Sequence, residues 1–288
     1  MSAKVKALLL AAGIGTRLRP LTDVLPKCLM PIDGRALLGC WFDLLTEAGI
    51  TDMLVNLHHH ADLVRDYVAR SRHAPHVTLA FEDSLLGTGG TLLRHKERFA
   101  GGPVMLVHAD NLSLFSVQRF LEAHRQRPAG CAITMMTFTT DAPEQSGIVE
   151  LDAAGRVVQL YEKKKNSPGN LANGAVYLME PEVLSFIESL NKPFVDISTE
   201  VLPRYVGRIF AFYNEVYHRD IGSPASLAQA QLEYPLVAAR HGAPAGTDPL
   251  IDMMSADGGA LGLSFRRAVH STYADPAAGL SILSEPAP

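Results

Sequence analysis

The chain has 288 residues, of which 47% are hydrophobic and 19% charged, so it can bury a large core as an ordinary globular protein. Its 26 basic and 30 acidic side chains give a net charge of −4, which argues against a nucleic-acid partner because such partners need a broad basic face. No apolar run approaches the roughly 18 residues of a membrane span, and the short N-terminal run predicts a buried strand rather than a signal peptide. Cys28, Cys40 and Cys131 fit neither a disulfide framework nor a zinc spacing, and we expect a cytoplasmic protein.

The first half of the chain predicts strands that alternate with helices. In chain order these elements are strand 6–12, helix 34–50, strand 51–58, helix 61–71, strand 76–83, helix 88–99 and strand 103–110. The strands are continuously apolar and the helices are amphipathic, which is typical of a parallel sheet covered on both faces. We therefore predict an α/β fold, a three-layer α/β/α sandwich around a mostly parallel, Rossmann-like sheet.

The second half predicts additions to the same sheet. Its elements are strand 131–140, a hairpin at 147–164 that turns at Gly155, strand 173–180 and helix 181–190. From about residue 235 the chain is rich in Ala, Gly and Pro and shows no sustained periodicity. We therefore predict one domain over 1–232, followed by a tail or small packed appendage of unknown role over 233–288.

The segment LLLAAGIGTRLRPLTDVLPK (8–27) joins a strand to spaced glycines and cations. Gly13 and Gly15 allow a tight turn that brings backbone N–H groups against an anion, and Arg17 and Lys27 can add charge-assisted contacts to phosphate. The spacing excludes a Walker loop, which needs four residues between its glycines and then Lys with Ser or Thr. It also lacks the third glycine of a dinucleotide fingerprint, and the second strand ends in NLHHH without the acid that would hold a ribose.

This segment and several later ones resemble a known family. LAAGIGTRLRPLTDVLPKCLMPI looks like the signature of the sugar-1-phosphate nucleotidylyltransferases, and LLGTGGTL, VHADN, SGIVELD, YEKK, NGAVY and RDIGSP follow in the expected order. The resemblance covers roughly residues 4–232. It implies the nucleotide-diphospho-sugar transferase fold with an added sugar-binding β-hairpin region. It also implies an enzyme that transfers a nucleoside monophosphate from an NTP to a sugar 1-phosphate and releases pyrophosphate.

The resemblance implies roles for the charged residues. Catalysis would consist of positioning and charge neutralisation, with Arg17 on the leaving pyrophosphate, Lys27 on the transferring phosphoryl group and Lys163 on the sugar phosphate. Asp110 ends an apolar strand and so lies at the carboxyl edge of the sheet, where such folds bind ligands. With Asp220, it would hold Mg²⁺ through hard oxygen donors.

The resemblance also implies the residues that contact the two substrates. Those assigned to the nucleotide are Leu10, Ala11, Ala12, Gly13, Gly15, Thr16, Glu82, Gly87, Thr88 and Gly89. Those assigned to the sugar phosphate are Asn111, Gly147, Glu162, Asn173, Gly174 and Thr199. Asp196 and Glu200 lie with Thr199 where the family frames the sugar pocket, and the alternative there is a helix-capping role for Ser198 or Thr199.

The segment FEDSLLGTGG (81–90) is where we expect the base. Gly87 and Gly89 permit close approach, and Glu82 or Asp83 can accept hydrogen bonds from the donor edge of guanine. LGTGG also resembles the LGTAG text of mannose-1-phosphate guanylyltransferases. We therefore favour GTP with a hexose or heptose 1-phosphate, while UTP, dTTP and CTP stay open.

The sequence supports further predictions about its histidines, an alternative function and oligomerisation. The run His58, His59 and His60 predicts a polar loop, because consecutive side chains diverge and cannot converge on one metal. The family often has Gly immediately before the metal-binding aspartate, where this chain has His108 and Ala109. His108 is expected to be a satisfied core residue. A non-catalytic regulator that keeps the fold is the alternative to an enzyme, and the family resemblance suggests a homo-oligomer.

Overall fold

The computed structural model describes residues 4–242 and 248–273, apart from the side chains of residues 257 and 258. The strands are β1 (Lys6–Leu10), β2 (Pro31–Ile32), β3 (Arg35–Ala36), β4 (Met53–Leu57), β5 (Val77–Phe81), β6 (Val104–His108), β7 (Asn111–Leu114), β8 (Ile133–Thr139), β9 (Gly147–Leu151), β10 (Val157–Glu162), β11 (Leu171–Met179), β12 (Ile209–Tyr213) and β13 (Tyr217–Asp220). The helices are α1 (Leu37–Glu47), α2 (Ala61–Arg70), α3 (Gly87–Arg94), α4 (Lys96–Phe99), α5 (Val117–Arg125), α6 (Pro181–Ser189), α7 (Leu202–Tyr205), α8 (Pro224–His241) and α9 (Pro249–Thr272).

The central sheet follows the order β12, β8, β11, β6, β1, β4 and β5, with the β9–β10 hairpin attached to the first half of β11. β1 is parallel to β4 and β6, β4 is parallel to β5, and β8 is parallel to β12. Within the described sheet, β11 and β10 run against this direction, whereas β9, which is antiparallel to β11, runs with it. The predicted mostly parallel α/β sheet is confirmed.

Alternate residues of the inner strands enter two separate hydrophobic cores. On one face Leu9 and Val55 pack with side chains of α1, α2, α5, α8 and α9. On the other face Leu8 and Leu54 pack with side chains of α3, α4, α6 and α7. Because both faces of the strands are covered, every position can be apolar, which explains the unbroken hydrophobic runs.

The predicted elements of the first half are confirmed, with two differences. The helix expected over 34–50 begins only at Leu37, because Arg35–Ala36 form β3. The helix expected over 88–99 is divided into α3 and α4 at His95, whose backbone departs from helical geometry. The hairpin of the second half is also confirmed, and Gly155 supplies a φ of +76° at its turn.

The C-terminal helices pack on the larger core. α8 runs through residues 232 and 233 without interruption, and the domain division placed there stays a prediction. α9 was not predicted, because glycines and alanines dilute its apolar pattern, yet Leu250, Phe265 and Val269 are buried in the core. Residues 274–288 of the predicted tail lie outside the described residues. None of the described helices has the length and apolar character needed to cross a membrane.

Candidate active site

Two short strands that pair beside the main sheet bring two aspartates together. β6 ends at His108, and Asp110 lies between β6 and β7. β13 pairs antiparallel with β7, and its last residue, Asp220, lies opposite Asn111. The two carboxylates therefore meet at the carboxyl end of the parallel strand β6.

The ammonium group of Lys27 lies between these carboxylates. Its Nζ donates to Asp110 Oδ2 and to Asp220 Oδ1, each at 3.0 Å, and the Lys27 side chain is only 6% exposed. Burial acts to lower the pKa of Lys27, but the two carboxylates outweigh it and the pKa is raised. Burial likewise acts to raise the pKa of Asp110, but the Lys27 charge lowers it below its usual value. Lys27 and Asp110 are therefore both ionised near neutral pH.

Arg17 adds a second cation at the outer side of this cluster. Its guanidinium lies 3.6 Å from Asp220 Oδ2, and its side chain is 65% exposed. Gly222 leaves the room for it, because a Cβ there would lie 2.5 Å from a guanidinium nitrogen of Arg17. Arg17, Lys27, Asp110 and Asp220, which the sequence predicted as site residues, thus form one group.

The loop that follows β1 (residues 11–16), called the signature loop from here on, is held by hydrogen bonds to the protein on one side and borders open space on the other. Gly15 has a φ of +67°, its carbonyl accepts a hydrogen bond from Thr22 Oγ1 at 2.9 Å, and a Cβ on it would lie 2.8 Å from Thr22 Cγ2. The Ala11 N–H donates to Asn56 Oδ1 at 2.7 Å. A Cβ on Gly13 would meet no described heavy atom within 4 Å. Gly13 therefore borders open space in which a ligand can lie against the backbone, beside the exposed Thr16.

The pair Asp110 and Asp220 fits a divalent cation. Both side chains offer hard oxygen donors, are 35% and 52% exposed, and already share one cation, the Lys27 ammonium. Mg²⁺ commonly binds one or two carboxylates and completes its shell with substrate phosphates and water. The described part of the chain holds no group of three or more His, Cys, Asp and Glu able to bind a metal, so the shell here would depend on substrate in that way.

The predicted sugar residues Gly147, Glu162 and Asn173 come together at the hairpin. Gly147 pairs with Glu162 across β9 and β10, and a Cβ on Gly147 would lie 2.7 Å from Glu162 Oε2 and 3.6 Å from Asn173 Cβ. Asn173 Nδ2 donates to the Tyr177 hydroxyl at 2.8 Å. Burial raises the pKa of Glu162. Lys163 follows with a φ of +46°, and its exposed ammonium lies 3.8 Å from Glu162 Oε1.

The other three predicted sugar residues already have structural contacts. The Thr199 N–H and Oγ1 both donate to Asp196 Oδ1 at 2.9 Å, so the cap is Asp196 and not Thr199, the residue given as the alternative. A Cβ on Gly174 would lie 2.6 Å from Met136 Cε, so the space beside Gly174 is filled by the protein. The Asn111 carbonyl accepts a hydrogen bond from the Trp41 indole at 2.8 Å, and Asn111 is 9% exposed.

The glycine segment 87–90 packs against the chain itself. The N–H of Gly89 donates to the Val195 carbonyl at 2.8 Å, and a Cβ on Gly87 would lie 2.5 Å from the same oxygen. Thr88 Oγ1 accepts from the Ile197 N–H at 2.7 Å. The close approach that these glycines allow is therefore made by the backbone around residue 195, and the N–H of Gly89 is not free for a nucleotide.

Glu82 is buried in a hydrogen-bond network and does not line an open cleft. Its side chain is 1% exposed, and Oε1 accepts from Asn56 Nδ2 at 3.1 Å and from Thr91 Oγ1 at 2.6 Å. Oε2 has one long contact, 3.5 Å from the Leu86 N–H. Only Oε2 therefore has acceptor capacity to spare.

Sequence reasoning missed Asn56 and His218, which carry no motif of their own. His218 lies in β13, and its Nδ1 shares a hydrogen bond of 2.6 Å with Ser113 Oγ. Its ring contacts that of Phe138, with centroids 4.2 Å apart and the ring planes tilted by 52°. Burial lowers the pKa of His218 to about 4, so its ring is neutral. It lines a polar cavity of about 350 Å³ that also contacts Arg17 and Asp220.

The remaining histidines behave differently from one another. His58 Nδ1 bonds the Glu82 carbonyl and His59 Nε2 bonds the Thr22 carbonyl, each at 2.8 Å, so these side chains hold separate loops. His108 was expected to be a satisfied core residue. Its Nε2 is buried but has no hydrogen-bond partner within the described residues, so that expectation is wrong.

A parallel α/β sheet with a glycine-containing loop after its first strand and a Lys–Asp–Asp cluster at its strand ends defines a nucleotide-binding protein equipped for phosphoryl chemistry. The chain belongs to the nucleotidyl transferase family, whose sequence model matches residues 6–235. The family resemblance seen in the sequence is thereby confirmed.

Individual relatives agree with this assignment. The chain is 30% identical over 228 residues to a rice (Oryza sativa subsp. japonica) protein named "Probable mannose-1-phosphate guanylyltransferase 1"; the match covers 76% of this chain and 62% of that protein. It is 28% identical over 246 residues to mannose-1-phosphate guanyltransferase 2 of Candida glabrata, covering 82% and 67%. The chain thus spans less than two thirds of the rice relative. The crystal structure of HddC from Yersinia pseudotuberculosis has a similar fold, with a TM-score of 0.67, 21% identity, and coverage of 80% of this chain and 99% of that one.

Proposed function

We propose that this protein transfers a nucleoside monophosphate from an NTP to a sugar 1-phosphate, with GTP and a hexose or heptose 1-phosphate as its substrates. The observation that carries the proposal is the buried Lys27 ammonium, 3.0 Å from both Asp110 and Asp220, next to the open loop around Gly13. A regulator that only bound nucleotide would have no need to hold this buried charge cluster at the strand ends. UTP, dTTP and CTP are the alternative donors.

The reaction exchanges one phosphoanhydride bond for another. A phosphate oxygen of the sugar 1-phosphate attacks the α-phosphorus of the NTP, the bond from that phosphorus to the bridging oxygen breaks, and pyrophosphate leaves with the electron pair. Both substrates are anions, so the protein must bring negative charges together and neutralise the charge that builds up in the transition state. Lys27 supplies fixed positive charge at the transferring group, and Arg17 supplies it at the leaving pyrophosphate.

Asp110 and Asp220 would hold a divalent cation, for which we propose Mg²⁺, together with oxygens of the substrate phosphates. When bound, the cation would supply further charge neutralisation. Lys27 would contact substrate phosphate from its place beside the two carboxylates.

The sugar phosphate would lie beside the hairpin. Gly147 offers a backbone surface without a side chain, and the Glu162 and Asn173 side chains can bond sugar hydroxyl groups. Lys163 is exposed and can reach a phosphate. Gly174 and Thr199, which have structural contacts, would frame this subsite. Asn111 stays a proposed sugar-phosphate contact through its side chain, because its bond to Trp41 is made by the backbone carbonyl.

The preference for GTP rests on the comparisons. The rice and Candida glabrata relatives are named mannose-1-phosphate guanylyltransferase and guanyltransferase. Glu82, Gly87 and Thr88 stay predicted neighbours of the base; Glu82 is 1% exposed, and the Val195 carbonyl fills the space beside Gly87.

We also propose a homo-oligomer in the cytoplasm. Leu232 and Leu236, one helical turn apart on α8, are 61% and 64% exposed and would be covered by a second copy. Cys28, Cys40 and Cys131 are buried free thiols, which suits a reducing compartment. Light scattering after gel filtration measures the first proposal, and a monomer at micromolar concentration would contradict it.

The test of the activity is pyrophosphate release by the purified protein with Mg²⁺. GTP, UTP, dTTP, CTP and ATP are each paired with a panel of hexose and heptose 1-phosphates, and the sugar nucleotide is identified by mass spectrometry. We expect release with GTP and one sugar phosphate. Release with another nucleotide would overturn the base assignment, and binding without release for every pair would favour the regulator.

A further inference from the structure

The single tryptophan of the chain is hydrogen-bonded to the backbone beside the two site carboxylates. Trp41 lies on α1, is 1% exposed, and donates from its indole Nε1 to the Asn111 carbonyl at 2.8 Å. Asn111 directly follows Asp110, and it pairs with Asp220 across β7 and β13. One hydrogen bond therefore joins the buried helix α1 to the backbone that carries one carboxylate and pairs with the residue that carries the other.

Asp110 lies in the short connection from β6 to β7, and the backbone on each side of it is held by a hydrogen bond. Before it, the Ala109 N–H donates to the Leu10 carbonyl at the end of β1, at 3.1 Å. After it, the Asn111 carbonyl accepts the bond from Trp41. The Asp110 side chain is 35% exposed, so this backbone fixes the point from which the carboxylate extends into the site.

The indole ring of Trp41 is packed in the larger core. It meets the Phe115 ring edge-on, with centroids 6.2 Å apart and an interplanar angle of 69°, and Phe115 in turn contacts Phe120. A phenylalanine or leucine at position 41 would fill apolar space without bringing in a polar group, whereas a buried indole N–H needs an acceptor. The acceptor it has is the carbonyl next to Asp110, so the polar atom of Trp41 acts at the strand that follows this carboxylate.

We propose that Trp41 is a positioning residue for the metal site. Its bond to Asn111 holds the start of β7, so that Asp110 and Asp220 keep the spacing at which one cation can be shared between them. This inference rests on the proposed function. The same spacing already allows the Lys27 ammonium to lie 3.0 Å from an oxygen of each carboxylate. Carboxylates that their surroundings hold in place bind a metal more tightly than carboxylates that must first be ordered.

The first experiment measures pyrophosphate release against Mg²⁺ concentration in the full chain, at saturating GTP and sugar 1-phosphate. Trp41→Phe removes the N–H and keeps an aromatic ring. Tyr205→Phe is the matched control, because the buried Tyr205 hydroxyl also donates to a backbone carbonyl, that of Glu182 at 3.3 Å, between α7 and α6. We expect Trp41→Phe to raise the Mg²⁺ concentration for half-maximal rate by about tenfold, with little change of kcat at saturating Mg²⁺, and the control to match the wild type. A purely structural role would lower the rate at every Mg²⁺ concentration and leave that midpoint unchanged, and this result would overturn the inference.

The second experiment needs no substitution in the core. Because the chain has one tryptophan, its indole N–H gives a single cross-peak in a ¹H–¹⁵N spectrum, which is followed as Mg²⁺ is added at saturating GTP without sugar phosphate. We expect the cross-peak to move, with a midpoint that Asp220→Asn raises by about tenfold. A cross-peak that Mg²⁺ leaves in place would overturn the inference. A wild type that binds Mg²⁺ and GTP but releases no pyrophosphate with any sugar phosphate would instead overturn the proposed function, and the cross-peak would still test the link between Trp41 and the carboxylates.

Discussion

The signature loop and the glycine segment 87–90 are both rich in glycine, yet they use it differently. In the loop, a Cβ on Gly13 would meet open space, and Lys27 later in the same segment pairs with Asp110 and Asp220. In the later segment, a Cβ on Gly87 would lie 2.5 Å from the Val195 carbonyl, and Gly89 donates to that same oxygen. Glycine at a binding motif can thus make room either for a ligand or for packing of the chain itself. In the first case Gly→Ala should raise the KM for the ligand, and in the second it should lower the free energy of unfolding.

The largest effect is expected at the cation beside the loop. Lys27→Ala removes the charge between Asp110 and Asp220 and should lower kcat by about 10²-fold or more, measured as pyrophosphate release. Its circular dichroism spectrum should remain native. Lys96→Ala, which removes a surface ammonium paired with Glu188, is the control and should keep wild-type turnover. Retained turnover in the Lys27 variant would sink the proposed mechanism.

Metal dependence provides the next largest effect. Removing divalent cations with EDTA should abolish pyrophosphate release, and Asp220→Asn should raise the Mg²⁺ concentration needed for half-maximal rate by about tenfold or more. Asp62→Asn is a suitable control because Asp62 is a surface carboxylate 97% exposed. An Asp220 variant with an unchanged Mg²⁺ titration would remove Asp220 from the metal site.

Gly13→Ala separates ligand contact from stability in the loop. The added methyl group meets no described atom of the protein, so the free energy of unfolding measured in urea should be unchanged. The same methyl group would narrow the space for the nucleotide and should raise the KM for GTP by about tenfold. An unchanged KM would show that the nucleotide does not lie over Gly13.

Gly87→Ala should do the reverse. Gly87 has a φ of +76°, and its Cβ would approach the Val195 carbonyl, so the free energy of unfolding should fall by about 2 kcal/mol or more. At a temperature where the variant stays folded, kcat should change little. A variant as stable as the wild type would show that the backbone of residue 195 does not pack tightly against Gly87. The glycine segment 87–90 would then not differ from the signature loop in the way proposed.

Much of this architecture could be predicted from the sequence because its signals are local. Each of these signals depends only on residues that are close together in the sequence. They are the unbroken apolar strands, the amphipathic helices and the spacing of Gly13, Gly15, Arg17 and Lys27. The pairing of β7 with β13 gave no such signal, since both strands are short and far apart in sequence, yet it is what joins Asp110 to Asp220.

The glycine segment was the harder case for the same reason. The segment that packs against it, around Val195, lies about a hundred positions later in the sequence. No local sequence pattern predicts that contact. Asn56 was missed because a single asparagine within an apolar strand has no recognisable motif, although it makes three buried hydrogen bonds. Positions whose role depends on a distant partner therefore require the fold.

Amide hydrogen exchange, with and without GTP and Mg²⁺, tests the contrast between the two glycine segments most directly. We expect new protection over residues 13–16, because this part of the loop borders the open space at Gly13. Little change is expected at Gly89, whose N–H already donates to Val195. Protection confined to 87–90, with none at 13–16, would contradict the placement of the nucleotide over the signature loop.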